Sequence, residues 1–269
     1  MSVPSKIGKY EIIEMLGINL CVVYKARDSV SGQVVALKVM NAAAREPLLS
    51  EARLLATLKH PNIPVAYETG EFDGCPYVAL ELLEGEMLDA IIRSGRPLTV
   101  LQKVDIILQV SAALQYLHSQ GIVHRNVKPS VVMLLPDGKV KLVDFECACL
   151  LDHASAETGK FVGTPAYMSP EQLKGEAIDG RTDVFSLGAT FYHLLEDKLP
   201  FGGATLTESA MNVLRDPPPR SKRADQLRLP DLQAIFDKAL AKQKRLRYRS
   251  CAKFSEDLML LRRRLEFQA

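Results

Sequence analysis

No stretch of the 269-residue chain reaches roughly 18 consecutive apolar residues, so no membrane-spanning helix is expected. Little charge of one sign is left over. The formal net charge is +2, too small to argue for nucleic acid or an anionic membrane as a partner. Cysteine is sparse and odd in number, five residues at Cys21, Cys75, Cys147, Cys149 and Cys251, which argues against a disulfide framework. Cys147 and Cys149 form a lone C-x-C without a second ligand pair, so small buried residues are expected there rather than a metal site. The N-terminal stretch MSVPSKIGKYEII has no apolar signal-peptide core, and cytoplasmic location is the expectation. Internal repeats and low-complexity segments are absent too. What is there is an ordinary globular composition, 47% hydrophobic and 25% charged, in a length that suits one large domain or two lobes sharing a cleft.

The character of the chain changes near residue 84. Before it, Tyr10 to Leu16, Cys21 to Ala26 and Gln33 to Met40 are β-branched or alternating runs, with a hairpin signal at Ser31-Gly32. From Glu46 to Leu58 the apolar residues Leu48, Leu49, Ala52, Leu55 and Leu58 keep a helical period, which His60-Pro61-Asn62 ends. Two short strands follow, ending near Leu83. After Glu84-Gly85 a long helix is expected over 99–120, with Thr99 as N-cap and Gly121 as its stop. Two short strands follow it around the turn Pro136-Asp137-Gly138. Helices are then expected at about 181–196, 204–214, 231–241 and 250–266. The fold class is α+β: a β-rich N-lobe over about 8–83, a hinge at about 81–85 and a larger helical C-lobe over about 86–266, together one domain across 1–269. Arg262, Arg263 and Arg264 near the C-terminus fit a solvated helix face better than a basic docking face.

An ordered set of short motifs, covering about Tyr10 to Leu265, resembles the protein kinase superfamily, most closely bacterial serine/threonine kinases of the eukaryotic type. Val35-Ala36-Leu37-Lys38 is similar to the strand motif whose lysine holds the ATP phosphates, and Glu51 matches the glutamate that fixes that lysine. Leu80 resembles the gatekeeper, and Glu81, Leu82 and Leu83 the hinge that meets the adenine edge. Val23, Ala36 and Met133 match the apolar residues around the adenine ring. His124-Arg125-Asn126-Val127-Lys128-Pro129-Ser130-Val131 is similar to the catalytic loop, Asp144-Phe145-Glu146 to the metal-binding motif, and Gly163 to Glu171 to the end of the activation segment. Asp183 matches the aspartate that supports the catalytic loop, and Arg247 the arginine that pairs with Glu171. Leu55, Ala66, His124 and Phe145 match the hydrophobic spine.

The pattern breaks at four places. Between the first two kinase strands only Gly17 of three glycines is kept, in a loop one residue short, and Leu20, Cys21 and Val22 obstruct close approach to phosphates. Asn126 replaces the catalytic aspartate, and an amide has no useful basicity. Val131 replaces the asparagine that ligates magnesium and offers no oxygen, leaving Asp144 as the one protein ligand. Glu146 stands where the family has glycine. Its carboxylate either supplies part of a metal shell or repels the triphosphate, and the second reading is favoured. The resemblance therefore implies a pseudokinase: a non-catalytic scaffold or allosteric regulator that binds ATP weakly, with Mg²⁺ in doubt. Its partners would be other proteins, such as an active kinase or a signalling complex, and not nucleic acid. The alternative is a low-activity ATP-dependent protein serine/threonine kinase, with Lys128 neutralising the transferring phosphoryl group. A nucleotide sensor without turnover is a third reading. Thr158 and Ser155 in the activation segment read as ordinary polar loop residues, although Arg125 could pair a phosphate on Thr158.

Overall fold

A computed structural model describes residues 4–18, 21–40, 51, 54–151 and 164–268. The chain divides into two compact units, Met1–Glu84 and Gly85–Ala269. The first holds a six-stranded antiparallel sheet in the order β1-β2-β3-β4-β6-β5. Its strands are β1 (Lys6–Ile7), β2 (Tyr10–Ile18), β3 (Cys21–Asp28), β4 (Val34–Met40), β5 (Ala66–Phe72) and β6 (Cys75–Glu81). The turn at Ser31-Gly32 falls between β3 and β4 as expected, and Gly32 takes the left-handed conformation that glycine allows (φ +74°).

Alternation along these strands sorts the side chains onto two faces. Tyr10, Tyr24, Ala26, Val35, Leu37, Tyr77 and Ala79 form one apolar layer. On the other face, Val23 lies opposite Lys38, Ala36 opposite Leu80, and Lys38 opposite Val78. Val23 and Leu80 pack there against Cys21, Met40 and Val78. The strand register thus collects Val23, Ala36, Lys38 and Leu80 on one surface. Of the helix expected over Glu46 to Leu58, Glu51 and residues 54–57 are helical, and most of its first half lies outside the described residues.

The second unit is mainly helical. The helix Val100–Ser119 has the caps its sequence announces. Thr99 and Gln102 form a capping box, and Gly121 follows with φ +72°. The helix Gly180–Glu196 is buried along most of its length, and Leu206–Arg215, Pro230–Ala239 and Cys251–Gln268 complete the larger elements. Three short helices, Leu88–Ser94, Pro170–Lys174 and Lys222–Gln226, had no counterpart among the sequence expectations. Two small sheets carry the loops of interest. In one, β7 (Glu86–Met87), β9 (Val132–Leu134) and β10 (Val140–Leu142) pair in the order β10-β9-β7; in the other, β8 (Ile122–Val123) pairs with β11 (Cys149–Leu150). Cys147 and Cys149 are half-buried, not buried as expected, because β11 is a two-residue strand with only β8 beside it.

Candidate functional site

Within the first unit, Lys38 Nζ meets Glu51 Oε2 at 2.6 Å, and both residues are buried. Strand β4 aims Lys38 at the surface shared with Val23, Ala36 and Leu80, and a helical turn brings Glu51 to it. Two buried side chains of opposite charge at that distance fix one another. Glu81 closes β6 and is held from both ends: its N–H donates to the Val65 carbonyl at 2.8 Å, and its Oε2 accepts the Val65 N–H at 3.1 Å. Leu82 and Leu83 leave the strand half-buried. Pairing of β2 with β3 reaches Gly17 opposite Val23 and Ile18 opposite Val22. Asn19 and Leu20 between the two strands lie outside the described residues. Among the described residues nothing comes within 4 Å of a Cβ placed on Gly17.

In the second unit Asp183 organises the loop 124–131. Its fully buried carboxylate accepts the His124 and Arg125 N–H groups, each at 2.9 Å, and faces His118 Nε2 at 2.8 Å. Arg125 sits at φ +65°, a conformation costly for a residue with a Cβ, and the bond to Asp183 helps impose it. Its carbonyl accepts from Gln172 Nε2 at 2.8 Å, and its Nε donates to the Cys147 carbonyl. That second bond ties the loop to the turn after Asp144. Asp144 is also left-handed (φ +64°), with Oδ1 accepting the Glu146 N–H at 3.3 Å. Phe145 is buried, edge-on to His124 with ring centres 5.0 Å apart. Asn126, Lys128 and Asp144 are half-buried, and Val131 is buried. Val131 N–H donates to Lys128 O at 3.1 Å, and its carbonyl accepts from Val143 at 2.9 Å. Met133 lies on β9 between Lys141 and Met87. Ser155, Thr158 and Gly163 lie outside the described residues.

His118 was missed by the sequence reading, though a histidine among the buried Leu114 and Leu117 of a helix calls for an acidic partner. Burial acts to lower its pKa, but the hydrogen bond and charge of Asp183 prevail and push it up to about 10. Burial acts to raise the Asp183 pKa, and His118 with the His124 N–H holds it below the ordinary carboxylate range. A Cβ on Gly180 would come within 2.7 Å of the His118 ring, so glycine makes room for the pair. His124 is buried and stays neutral: burial lowers its pKa, against the pull of Asp183.

Lys242 has the opposite charge problem. Its Nζ is buried without a hydrogen-bond partner among the described residues, 3.4 Å from the centre of the Phe201 ring. Burial lowers its pKa to about 7, against Asp216 and with Arg247. These two groups predict opposing pH slopes. A raised folded pKa makes the His118 contribution full below about pH 6.5 and progressively lost up to about pH 10. A depressed lysine pKa makes folding more favourable as pH climbs from about 7 towards 10.5. Each slope is at most about 1.4 kcal/mol per pH unit. Relative to wild type, His118→Gln should gain stability from pH 7 to 10 and Lys242→Met should lose it, as read by urea unfolding. Parallel curves for all three proteins would refute the charge assignments.

Residues 10–258 match the family described as Protein kinase domain. The chain is similar to serine/threonine-protein kinase PknB of Mycobacterium leprae, 35% identical over 270 residues that make up 95% of this chain and 43% of the relative. The PknB of Mycobacterium tuberculosis strain H37Rv is 36% identical over 275 residues, 96% of this chain and 44% of that protein. A probable serine/threonine-protein kinase of Streptomyces coelicolor, SCO3848, is 36% identical over 273 residues, 96% of this chain and 41% of that protein. The chain thus spans less than half the length of these curated relatives.

Proposed function

Because the chain belongs to the protein kinase family, as a domain of the bacterial serine/threonine type, we propose that it acts as a kinase-fold scaffold or allosteric regulator whose phosphoryl transfer is lost or severely slowed. The observation that carries this reading is the identity of two side chains in the loop held by Asp183. An amide at Asn126 stands where the family places its base, and a buried hydrocarbon at Val131 stands where it places a metal ligand.

The family implies ATP and Mg²⁺ in general, and the two fit this chain unequally. Lys38, fixed by Glu51 at 2.6 Å, suits the phosphates of a nucleotide, with Val23, Ala36, Glu81 and Leu83 of the same unit for the base and Gly17 for the phosphates. Mg²⁺ fits poorly. Asp144 is its one carboxylate at a family ligand position. Weak, metal-independent ATP binding follows, with other proteins as partners and the cytoplasm as the site of action.

A second reading, a low-activity ATP-dependent serine/threonine kinase, has the names of the relatives behind it, and those names favour it over the first. Lys128 would then face the transferring phosphoryl group. Incubation with labelled ATP separates the two. The first reading expects transfer far below the roughly 1–100 s⁻¹ of active kinases, together with a thermal shift by ATP that Mg²⁺ leaves unchanged and Lys38→Met removes. Transfer within the active range would rule out the first reading, and slower transfer that Lys38→Met abolishes would support the second. No shift at millimolar ATP would eliminate nucleotide binding from both.

A further inference from the structure

A cavity of about 280 Å³ opens in the second unit, on residues to which none of the kinase motifs assigns a role. Ile91, Ile92, Pro97, Leu98 and Leu194 give it an apolar lining. Three cations, Arg96, Lys103 and Arg223, border it against one carboxylate, Asp197.

The cations are unequally committed. Arg96 is paired with Glu86 at 2.8 Å. Lys103 has an almost buried side chain, yet its nearest carboxylate among the described residues, Asp197, is 4.0 Å away, at the outer limit of an ion pair, and Asp197 is itself mostly exposed. Glu196, the other acid nearby, accepts the Ser221 hydroxyl at 2.5 Å and the Arg223 N–H at 3.0 Å on one oxygen, and acts on Lys103 only through its charge, without an ion pair between them among the described residues. Lys103 also sits in the first turn of Val100–Ser119, a turn without acidic residues. The helix dipole there is positive and disfavours a cation. Burial lowers the Lys103 pKa, Asp197 and Glu196 oppose this, and Arg223 adds to it. A poorly neutralised ammonium on a mostly buried side chain, beside an open apolar hollow, is an arrangement completed by an anion.

We propose that this cavity binds a small molecule joining one anionic head group to a compact apolar body, the head between Lys103 and Arg223 and the body against Leu98, Pro97 and Leu194. The site stands independently of any kinase activity.

Calorimetric titration of the chain with benzoate, hexanoate, inorganic phosphate and benzyl alcohol tests the assignment. One-to-one binding of a carboxylate is expected at least about tenfold tighter than of phosphate, which lacks the apolar body, or of benzyl alcohol, which lacks the charge. Lys103→Met keeps the apolar stem and should weaken that binding at least about tenfold. Arg223→Ala, at an exposed side chain where folding is not at stake, should weaken it in the same direction. Three results would each overturn the proposal: no saturable carboxylate binding at about 10 mM, carboxylate binding unchanged in both variants, or phosphate or benzyl alcohol bound as tightly as the carboxylates.

Discussion

Asn126→Asp combined with Val131→Asn should raise phosphotransfer to a generic protein substrate by about 10²–10⁴-fold, the range associated with a positioned general base. The first change returns a carboxylate to a loop whose backbone is already held: Asp183 fixes residues 124 and 125, and Gln172 fixes the Arg125 carbonyl. The second puts an oxygen donor on a backbone pinned by Lys128 and Val143. Neither substitution has to rebuild the loop, only to supply the missing donors. Adding Glu146→Gly should raise the rate further if that carboxylate repels the triphosphate, and lower it if it serves as a metal ligand, because phosphoryl transfer depends mainly on positioning and charge. Transfer is measured with labelled ATP in the presence of Mg²⁺, with Lys38→Met placed on the restored background as the control. A gain under about tenfold in the double variant would show that these two side chains are not what limits the chain.

How much of this was legible in the sequence depended on the range of the interactions involved. Thr99, Gln102 and Gly121 announce the ends of Val100–Ser119 because a cap is a contact between close neighbours in sequence. The alternation in Cys21–Asp28 and Val34–Met40 sufficed to put Lys38 on the same face as Ala36. Leu88–Ser94, Pro170–Lys174 and Lys222–Gln226 span too few turns for apolar periodicity to register, although Ser169 with Gln172 is a capping box that could have exposed one of them. Family resemblance supplied Asp183 and Arg247, but not the chemistry that keeps Asp183 ionised. His118 is separated from it by 65 residues, and what makes the pair tolerable is a missing Cβ at Gly180. Lys242 lacked any local mark, since its surroundings come from Phe201 and Phe185 on other segments. Sequence motifs therefore located the donors and their gaps, while the balance of buried charge required the fold.

The largest expected loss of stability lies away from those gaps, at Arg247. Its guanidinium makes two parallel bonds to Glu171, Nη1 to Oε1 at 2.6 Å and Nη2 to Oε2 at 2.8 Å, with both side chains buried. The remaining donors reach the carbonyls of Ala241 at 2.6 Å, Lys242 at 3.0 Å and Arg181 at 3.2 Å, and Thr182 Oγ1 donates to Glu171 Oε1 at 2.9 Å. Five acceptor oxygens would lose a partner together in Arg247→Ala, two of them on a carboxylate left uncompensated in the interior. Removing one member of a buried pair typically costs about 3–5 kcal/mol. At about 2–4 °C per kcal/mol for a chain of this size, the midpoint should fall by roughly 6–20 °C in a thermal scan. Glu171→Leu with Arg247→Met removes both charges and should cost less than Arg247→Ala, since burying an unpaired charge is the dominant penalty. Acid gives an independent check. Burial acts to raise the Glu171 pKa, but Arg247 holds it below the ordinary value of 4.5. Its contribution is therefore present above that value and lost as pH falls through the depressed one. Wild type should lose stability in that acid window, and the doubly apolar variant should lose less. A midpoint for Arg247→Ala within about 2 °C of wild type would mean that the pair contributes no more than an exposed one.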